Sequence, residues 1–171
     1  MKKILLVFDG TNFSNGAFEF VRRLNEKNKI LVIGVFVPQV NYANMWSYAG
    51  TAGTVGTPGS IPLIEDDEAE QIGKNIERFQ QLCENNHIEF RIHKDYYDFA
   101  LPELKEETRF ADVVVLGSES FYANIGTGEP NDYLKMALHD VECPVVIVPE
   151  KFSFPENNIL SYDGSESSVY A

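Results

Sequence analysis

The chain of 171 residues is the length of one globular domain, and its 44% hydrophobic and 12% aromatic content is enough to form a buried core. Lysine and arginine number 14 against 26 aspartate and glutamate residues, which gives a formal net charge of −12 at pH 7. Since nucleic-acid binding needs a basic face and no Lys/Arg cluster supplies one, we expect no nucleic-acid partner.

The amino-terminal segment is a strand rather than a targeting signal. The apolar run Ile4–Phe8 is too short for the core of a signal peptide, and no stretch approaches the roughly 20 apolar residues of a membrane span. The two cysteines, Cys83 and Cys143, form no C-x-x-C motif. We therefore expect a cytoplasmic protein with reduced thiols and no membrane partner.

The first part of the chain alternates strand and helix patterns. Ile4–Phe8 is a continuous apolar run that ends at an Asp-Gly turn, which is typical of a strand buried on both faces. Apolar residues then recur at helical spacing from Phe13 to Leu24, with Ser14 as the predicted N-cap. Ile30–Val37 is a second buried strand, ended by a proline.

A loop without periodicity is predicted from Gln39 to Pro62, and its role stays open. The acidic residues from Glu65 to Glu68, with Glu70, are interpreted as the solvated start of a helix rather than as a metal site. The apolar stripe predicted for this helix consists of Ala69, Ile72, Ile76, Phe79 and Leu82/Cys83.

Alternation continues to the end of the domain. The predicted elements are a strand His87–His93, a short helix Leu101–Thr108, a strand Val113–Gly117, a helix Tyr133–Asp140 and a strand Pro144–Val148. Five strands separated by helical crossovers predict an α/β fold, an open parallel sheet with helices on both faces. Ligands of such sheets bind beyond the carboxyl ends of the strands, which here means Asp9-Gly10, Val35 to Pro38 and the segment after Leu116.

The carboxyl-terminal tail repeats the start of the chain. At an offset of 154, Leu5–Thr11 aligns with Ile159–Ser165, a strand followed by an Asp-Gly turn and a hydroxyl residue. We predict a domain over residues 1–149, a linker over 150–156 and the start of a truncated second repeat over 157–171.

Two features could bind a ligand at the predicted sheet edge. Asp9 either accepts hydrogen bonds from a ligand or caps its own turn, and the sequence leaves both open. Gly117, Gly126 and Gly128 could present backbone N–H groups to a phosphate, although their spacing matches neither a P-loop nor a dinucleotide fingerprint.

Catalytic chemistry has little support in the sequence. His87, His93 and His139 lie apart from any Ser or Cys nucleophile at a recognisable spacing, so we interpret them as surface or boundary residues. We expect no enzymatic turnover and no metal site.

Three segments, in their order along the chain, carry a family resemblance. They are the first strand with its Asp-Gly turn, the strand from Asp112 to Gly117, and the closing run Cys143–Pro149. With this pattern the sequence resembles the universal stress protein family over about residues 2–149. The resemblance implies a Rossmann-like fold of the adenine nucleotide alpha hydrolase type, with strand order 3-2-1-4-5.

The resemblance also implies where a nucleotide would lie. Family members that hold ATP wrap its phosphates with G-x-x-G, about nine residues, and then G-[ST]. Here Gly117 matches the first glycine, Ser120 stands at the second, and Asn131-Asp132 stand at the final pair. The vestigial site implied in this way consists of Asp9, Gly10, Val35, Gly117, Ser118, Ser120, Gly126, Gly128 and Asn131.

The phosphate loop is interpreted as degraded. Two of its three glycine positions are lost, and with them the freedom of the backbone to approach a phosphate closely. Glu119, Glu129 and Asp132 would repel a triphosphate. We therefore expect no cofactor, with weakly held ATP or AMP as the alternative.

The expected function is a non-catalytic module of the stress response that works through association. By resemblance, a second copy, the second domain of a tandem chain or another protein would bind along the edge of the fifth strand. That edge consists of Pro144, Val145, Val146, Ile147 and Val148. The alternatives are a regulatory switch that binds ATP or AMP and, with weaker support, a nucleotide hydrolase of related fold.

Overall fold

The strands assemble into a parallel sheet. The computed structural model of the chain describes residues 1–9, 12–37, 66–93, 107–117, 141–157 and 159. Its elements are β1 (Lys2–Asp9), α1 (Asn15–Lys27), β2 (Ile30–Val37), α2 (Asp66–Asn85), β3 (Glu89–His93), β4 (Val113–Gly117) and β5 (Val145–Val148). The strand order is β3-β2-β1-β4-β5, and each neighbouring pair is parallel. The predicted fold class and strand order are confirmed.

One face of the sheet packs an aromatic cluster under α1 and α2. Phe79 of α2 is fully buried and contacts the rings of Phe8, Phe18, Phe36 and Phe90, with centroid distances between 5.7 and 6.4 Å. The middle of β2 leaves room for this ring because Gly34 has no side chain. A Cβ there would lie 2.8 Å from Cε1 of Phe79.

The opposite face carries a second, aliphatic cluster. It consists of Leu5, Val7, Ile33, Val35, Val114 and Leu116. Residues along β1 alternate between the two clusters, since successive side chains of a strand point to opposite faces. The central strand is thus buried on both faces, as its continuous apolar run predicts.

The structure corrects three details at the ends of elements. Ala69 is exposed, so the apolar stripe of α2 begins at Ile72. His87 has a φ of 52° and closes α2 in the left-handed conformation that glycine usually supplies, so β3 begins at Glu89 rather than at His87. Pro144 precedes β5, and its carbonyl accepts a hydrogen bond of 2.9 Å from the Val114 N–H.

Two predicted helices fall largely outside the described residues. Of Leu101–Thr108, the structure describes Glu107 and Thr108, which are helical, and Tyr133–Asp140 lies outside. The whole loop from Gln39 to Pro62 lies outside in the same way, as does the predicted repeat over 157–171 except for residues 157 and 159. The division of the chain into domain, linker and second repeat stays a prediction.

Candidate functional site

The site lies where the sheet changes its direction of winding, between β1 and β4. The chain proceeds from β1 to β2 and β3 on one side, and β4 and β5 lie on the other. Val7 of β1 is in register with Leu116 of β4, so Asp9 and Gly117 end their strands at the same edge of the sheet. In open α/β sheets this crevice, outside the carboxyl ends of the strands, is where ligands bind.

Val35 lies on the neighbouring strand, two residues before the level of Asp9. It is paired in register with Val7, whereas Asp9 is paired with Val37, and the Val35 side chain is buried in the aliphatic cluster. The structure therefore brings the backbones of Asp9 and Gly117 together at this edge and puts Val35 inside the sheet, next to it. Each belongs to the set of residues predicted from the sequence.

The rest of the predicted set lies outside the described residues, as does the side chain of Asp9. These other residues are Gly10, Ser118, Ser120, Gly126, Gly128 and Asn131. The degraded phosphate loop stays a prediction from the sequence.

The amino terminus of α1 adjoins the crevice, because α1 follows β1 directly. Ser14 is the N-cap, as predicted, and its Oγ accepts a hydrogen bond of 3.2 Å from the Ala17 N–H. The Glu150 carboxylate, from the segment after β5, accepts hydrogen bonds from the Gly16 N–H at 3.2 Å and from the Ser14 hydroxyl at 3.3 Å. It also accepts one from the Asn15 side-chain amide.

A cation lies on the other side of Asn15. Arg78 of α2 donates a hydrogen bond of 2.6 Å from Nη2 to Oδ1 of Asn15. Its guanidinium carbon also lies 4.4 Å from the centroid of the Phe13 ring. Asn15 thereby connects Arg78 to Glu150, and the three side chains tie α2, α1 and the segment after β5 together.

This arrangement sets the electrostatics of the helix terminus. The free N–H groups and the dipole of a helix attract an anion to its amino terminus. Here the Gly16 N–H is engaged by the protein's own carboxylate, that of Glu150. A second anion at this terminus would meet an occupied N–H group and a like charge, and both disfavour it.

Sequence reasoning missed Glu150 and Arg78. Glu150 falls in the predicted linker, and the signal that could have found it is its place directly after β5. The carboxyl end of β5 and the amino end of α1 share one edge of the sheet, so an acid there lies near unsatisfied helix N–H groups. The sequence carries no corresponding signal for Arg78, which is one of several charged residues on an exposed helix face.

The cysteines are poor nucleophiles. Burial raises the pKa of the Cys83 thiol to about 12, and the nearby Glu84 adds to the effect. Burial also raises the pKa of the half-buried Cys143 thiol. The reactive thiolate form of both is therefore scarce at neutral pH.

We expect iodoacetamide at pH 8 to modify Cys143 of the native chain before Cys83. Cys83 is fully buried, so the reagent reaches it less easily, and burial raises the pKa of its thiol, so little of it is thiolate. Mass spectrometry of peptides after timed reaction measures the order. In the urea-unfolded chain, the matched control, both cysteines should react at similar rates. Faster modification of Cys83 in the native chain would contradict the expectation.

The histidines do not gather into a site within the described residues. His87 closes α2, and His93 lies at the end of β3. His139 lies outside that part of the chain. Among residues whose placement is described, no group of three His, Cys, Asp or Glu side chains could hold a metal ion.

The β5 edge lies at one end of the sheet. Among the described strands, β5 pairs with β4 alone. Ile147 is 41% exposed, Pro144 is exposed, and Val145 and Val146 are half-buried, whereas Val148 belongs to the core. An apolar strand edge of this kind is a template for pairing with another chain.

Comparison with solved structures identifies the fold. The chain is similar to a universal stress protein from Archaeoglobus fulgidus, with a TM-score of 0.53 and 11% identity over 86% of this chain and 93% of that one. It is similar to the hypothetical protein MJ0577, with a TM-score of 0.56 and 15% identity over 89% and 98%. A universal stress protein from Archaeoglobus fulgidus in complex with dAMP aligns with a TM-score of 0.47 and 12% identity over 86% of this chain and 97% of that one.

The chain has the fold of the universal stress proteins, which confirms the resemblance inferred from its strand and turn motifs. No family model matches the sequence. A search of curated proteins finds no match to it. In the part of the chain that the structure describes, none of the helices is both long and apolar enough to cross a bilayer.

Proposed function

We propose that this chain is a universal stress protein-like regulatory module of the cytoplasm, without catalytic turnover, that acts by binding a second copy or another protein along β5. The observation that carries the proposal is that the residues beside the crevice are unsuited to holding phosphate. Gly117 is the one glycine of the family's phosphate pattern that the sequence keeps, and the adjacent start of α1 is occupied by Glu150. The fold thus supplies a nucleotide crevice while the residues around it disfavour phosphate.

Calorimetric titration with ATP, AMP and adenosine tests this proposal. We expect ATP to bind with a dissociation constant weaker than about 1 mM, because glycines are missing and acids flank the loop. The matched variant Ser120→Gly/Asn131→Gly/Asp132→Ser restores the family's pattern and should bind ATP at least about tenfold tighter. A micromolar affinity of the unmodified chain would overturn the degraded-loop interpretation.

A regulatory switch that binds ATP or AMP is the second candidate. It is supported by Gly117, which ends β4 beside the end of β1, and by the resemblance, which puts the first phosphate contact at Gly117 and the adenosine at Asp9 and Val35. The same titration separates the two functions. Tight binding of AMP or adenosine together with weak binding of ATP would support this candidate. In a separate phosphate assay, release of inorganic phosphate from ATP would contradict the absence of turnover.

The association surface has its own test. Replacing the exposed Ile147 with lysine places a charge on the β5 edge, which opposes strand pairing. We expect the unmodified chain to sediment as a dimer at high concentration and Ile147→Lys to sediment as a monomer. Ala69→Lys, which puts the same charge on the exposed face of α2, is the control and should remain dimeric. A monomeric unmodified chain at high concentration would contradict association with a second copy along β5.

A further inference from the structure

The segment Pro149–Phe154, which we call the strap, runs along the whole of α1. Glu150 contacts the first turn of the helix. Phe152 and Phe154 contact Phe20 in the middle of the helix, and the Lys27 ammonium, in the last turn, lies 4.1 Å from the centroid of the Phe154 ring. The strap therefore leaves the carboxyl end of β5 and follows α1 towards its carboxyl terminus.

Burial alternates along the strap. Glu150, Phe152 and Phe154 are half-buried, whereas Lys151 and Ser153 are exposed. A period of two is the pattern of an extended segment with one face against a surface. The face of the strap that lies on α1 thus carries one carboxylate followed by two aromatic rings.

The polar attachment of the strap is close-fitting. The Glu150 carboxylate accepts hydrogen bonds from the N–H of Gly16 and from the hydroxyl of Ser14. Gly16 allows this approach because a Cβ at that position would lie 2.8 Å from the carbonyl carbon of Pro149, and closer still to its oxygen. Glycine in the first turn is therefore matched to the path of the strap.

The apolar attachment is a small aromatic group. The centroid of the Phe20 ring lies 5.5 Å from that of Phe152 and 5.9 Å from that of Phe154, and the two strap rings are 5.8 Å apart. Phe152 also packs against the main core cluster. Edge-to-face and stacked rings at these distances attract one another beyond their burial.

We propose that the strap is a latch that opens and closes as one unit and so couples the chain beyond residue 154 to the first turn of α1. The two attachments are separated by few residues, so each keeps the other at a high effective concentration near its partner. A pull on the chain beyond Phe154 removes the aromatic attachment, and the Glu150 cap then opens with it. Since α1 begins beside the crevice, the latch transmits a displacement of the chain beyond Phe154 to that edge of the sheet.

The coupling is reciprocal, as any linkage must be. Whatever holds the first turn of α1 in place favours the closed strap, and whatever releases the strap frees the Gly16 N–H. The inference rests on the contacts between the strap and α1, and it holds whether or not the crevice binds a nucleotide.

Hydrogen exchange of backbone amides in the full chain tests the latch. The double variant Phe152→Ala/Phe154→Ala removes the aromatic attachment and leaves every group at the first turn unchanged. We expect exchange of the Gly16 amide to become at least about tenfold faster, while the Val115 amide, in the buried β4, exchanges as before. Glu156→Ala, an exposed substitution beyond the strap, is the control and should change neither amide.

Unchanged Gly16 exchange in the double variant would show two independent contacts and would overturn the latch. An equal increase in the exchange rates of the Gly16 and Val115 amides would show global opening instead. Phe154→Leu, which keeps an apolar side chain, then repeats the comparison with less loss of packing. The quantity compared is the ratio of the Gly16 exchange rate to the Val115 exchange rate. If this ratio is the same in Phe154→Leu as in the unmodified chain, the latch is likewise overturned.

The reverse direction uses proteolysis. Glu150→Ala removes the polar attachment alone, and chymotrypsin, which cleaves after phenylalanine, reports opening of the strap at the Phe152–Ser153 bond. We expect cleavage there to become at least about tenfold faster than in the unmodified chain and in the Glu156→Ala control. Equal cleavage rates in the three proteins would contradict a latch that opens as one unit.

Discussion

Phe79→Ala is expected to lower the free energy of unfolding by about 3–5 kcal/mol, the largest effect of any single substitution considered for this chain. The Phe79 ring is fully buried between α2 and the sheet and contacts aromatic rings from α1, β1, β2 and β3. Removing it leaves a cavity at the centre of the main cluster. Because four different elements meet there, the surrounding rings cannot all move in to fill the space.

Urea unfolding followed by circular dichroism measures this effect. Phe110→Ala is the control, since Phe110 is 75% exposed and its truncation should change the stability by less than about 0.5 kcal/mol. Equal losses in the two variants would contradict the central position of Phe79 in the core.

The cavity also predicts a coupling with β2. Gly34→Ala alone should destabilise the chain by about 1–3 kcal/mol, because the added methyl group lies 2.8 Å from the Phe79 ring. In the Phe79→Ala background the contacts with Phe79 are gone and the remaining close neighbour is Cε2 of Phe36 at 3.2 Å, so most of this cost should disappear. The double variant should therefore be less destabilised than the sum of the two single variants. If the two losses of stability simply add, the close contact between Gly34 and Phe79 is contradicted.

Gly16→Ala is expected to destabilise the chain by about 2–4 kcal/mol, although alanine is the better helix former. The new methyl group would overlap the carbonyl of Pro149 and lie 2.9 Å from the Cα of Glu150, both of which are backbone atoms. A flexible side chain could move aside, but here the strap itself must leave α1. The chain then loses the Glu150 cap and part of the burial of Phe152.

Gly73→Ala is the matched control because it makes the same substitution in the other described helix. A Cβ at Gly73 meets no atom within 4 Å, so alanine there should stabilise the chain by about 0.5–1 kcal/mol through helix propensity alone. Unfolding in urea gives both values. A stabilising effect of Gly16→Ala would show that the strap does not lie against the first turn of α1.

The pattern of the sequence predicts most of the sheet, because a buried parallel strand has a local signature. Ile4–Phe8 and Val113–Gly117 are continuous apolar runs, and the turn residues after them mark the edge where ligands bind in such folds. Ser14 is predictable as an N-cap for the same reason, since its partner lies three residues away. Where the interacting residues are close in sequence, composition and spacing are sufficient to predict the structure they form.

The sequence pattern misplaces one end of α2 because of the path of the helix over the sheet, and the start of β3 because of a local helix-ending hydrogen bond. Ala69 fits the apolar period of α2, yet it is exposed, and Ile72 is the first buried side chain among the described residues of that helix. His87 extends the apolar alternation of β3, but the hydrogen bond of 2.9 Å from the Ile88 N–H to the Cys83 carbonyl closes the helix there. Local pattern cannot show where one element stops touching another.

The sequence by itself determined the fold class, the strand order through the family resemblance, and the edge of the sheet that carries the candidate site. Only the tertiary structure decided what occupies that edge, since Glu150 meets Gly16 across 134 residues and Arg78 meets Asn15 across 63. The physical reason is the separation along the chain of the residues that interact. The strand patterns and the Ser14 cap arise from neighbours along the chain, whereas the contacts of Glu150 with α1 exist only once β5 has brought its carboxyl end beside the start of that helix.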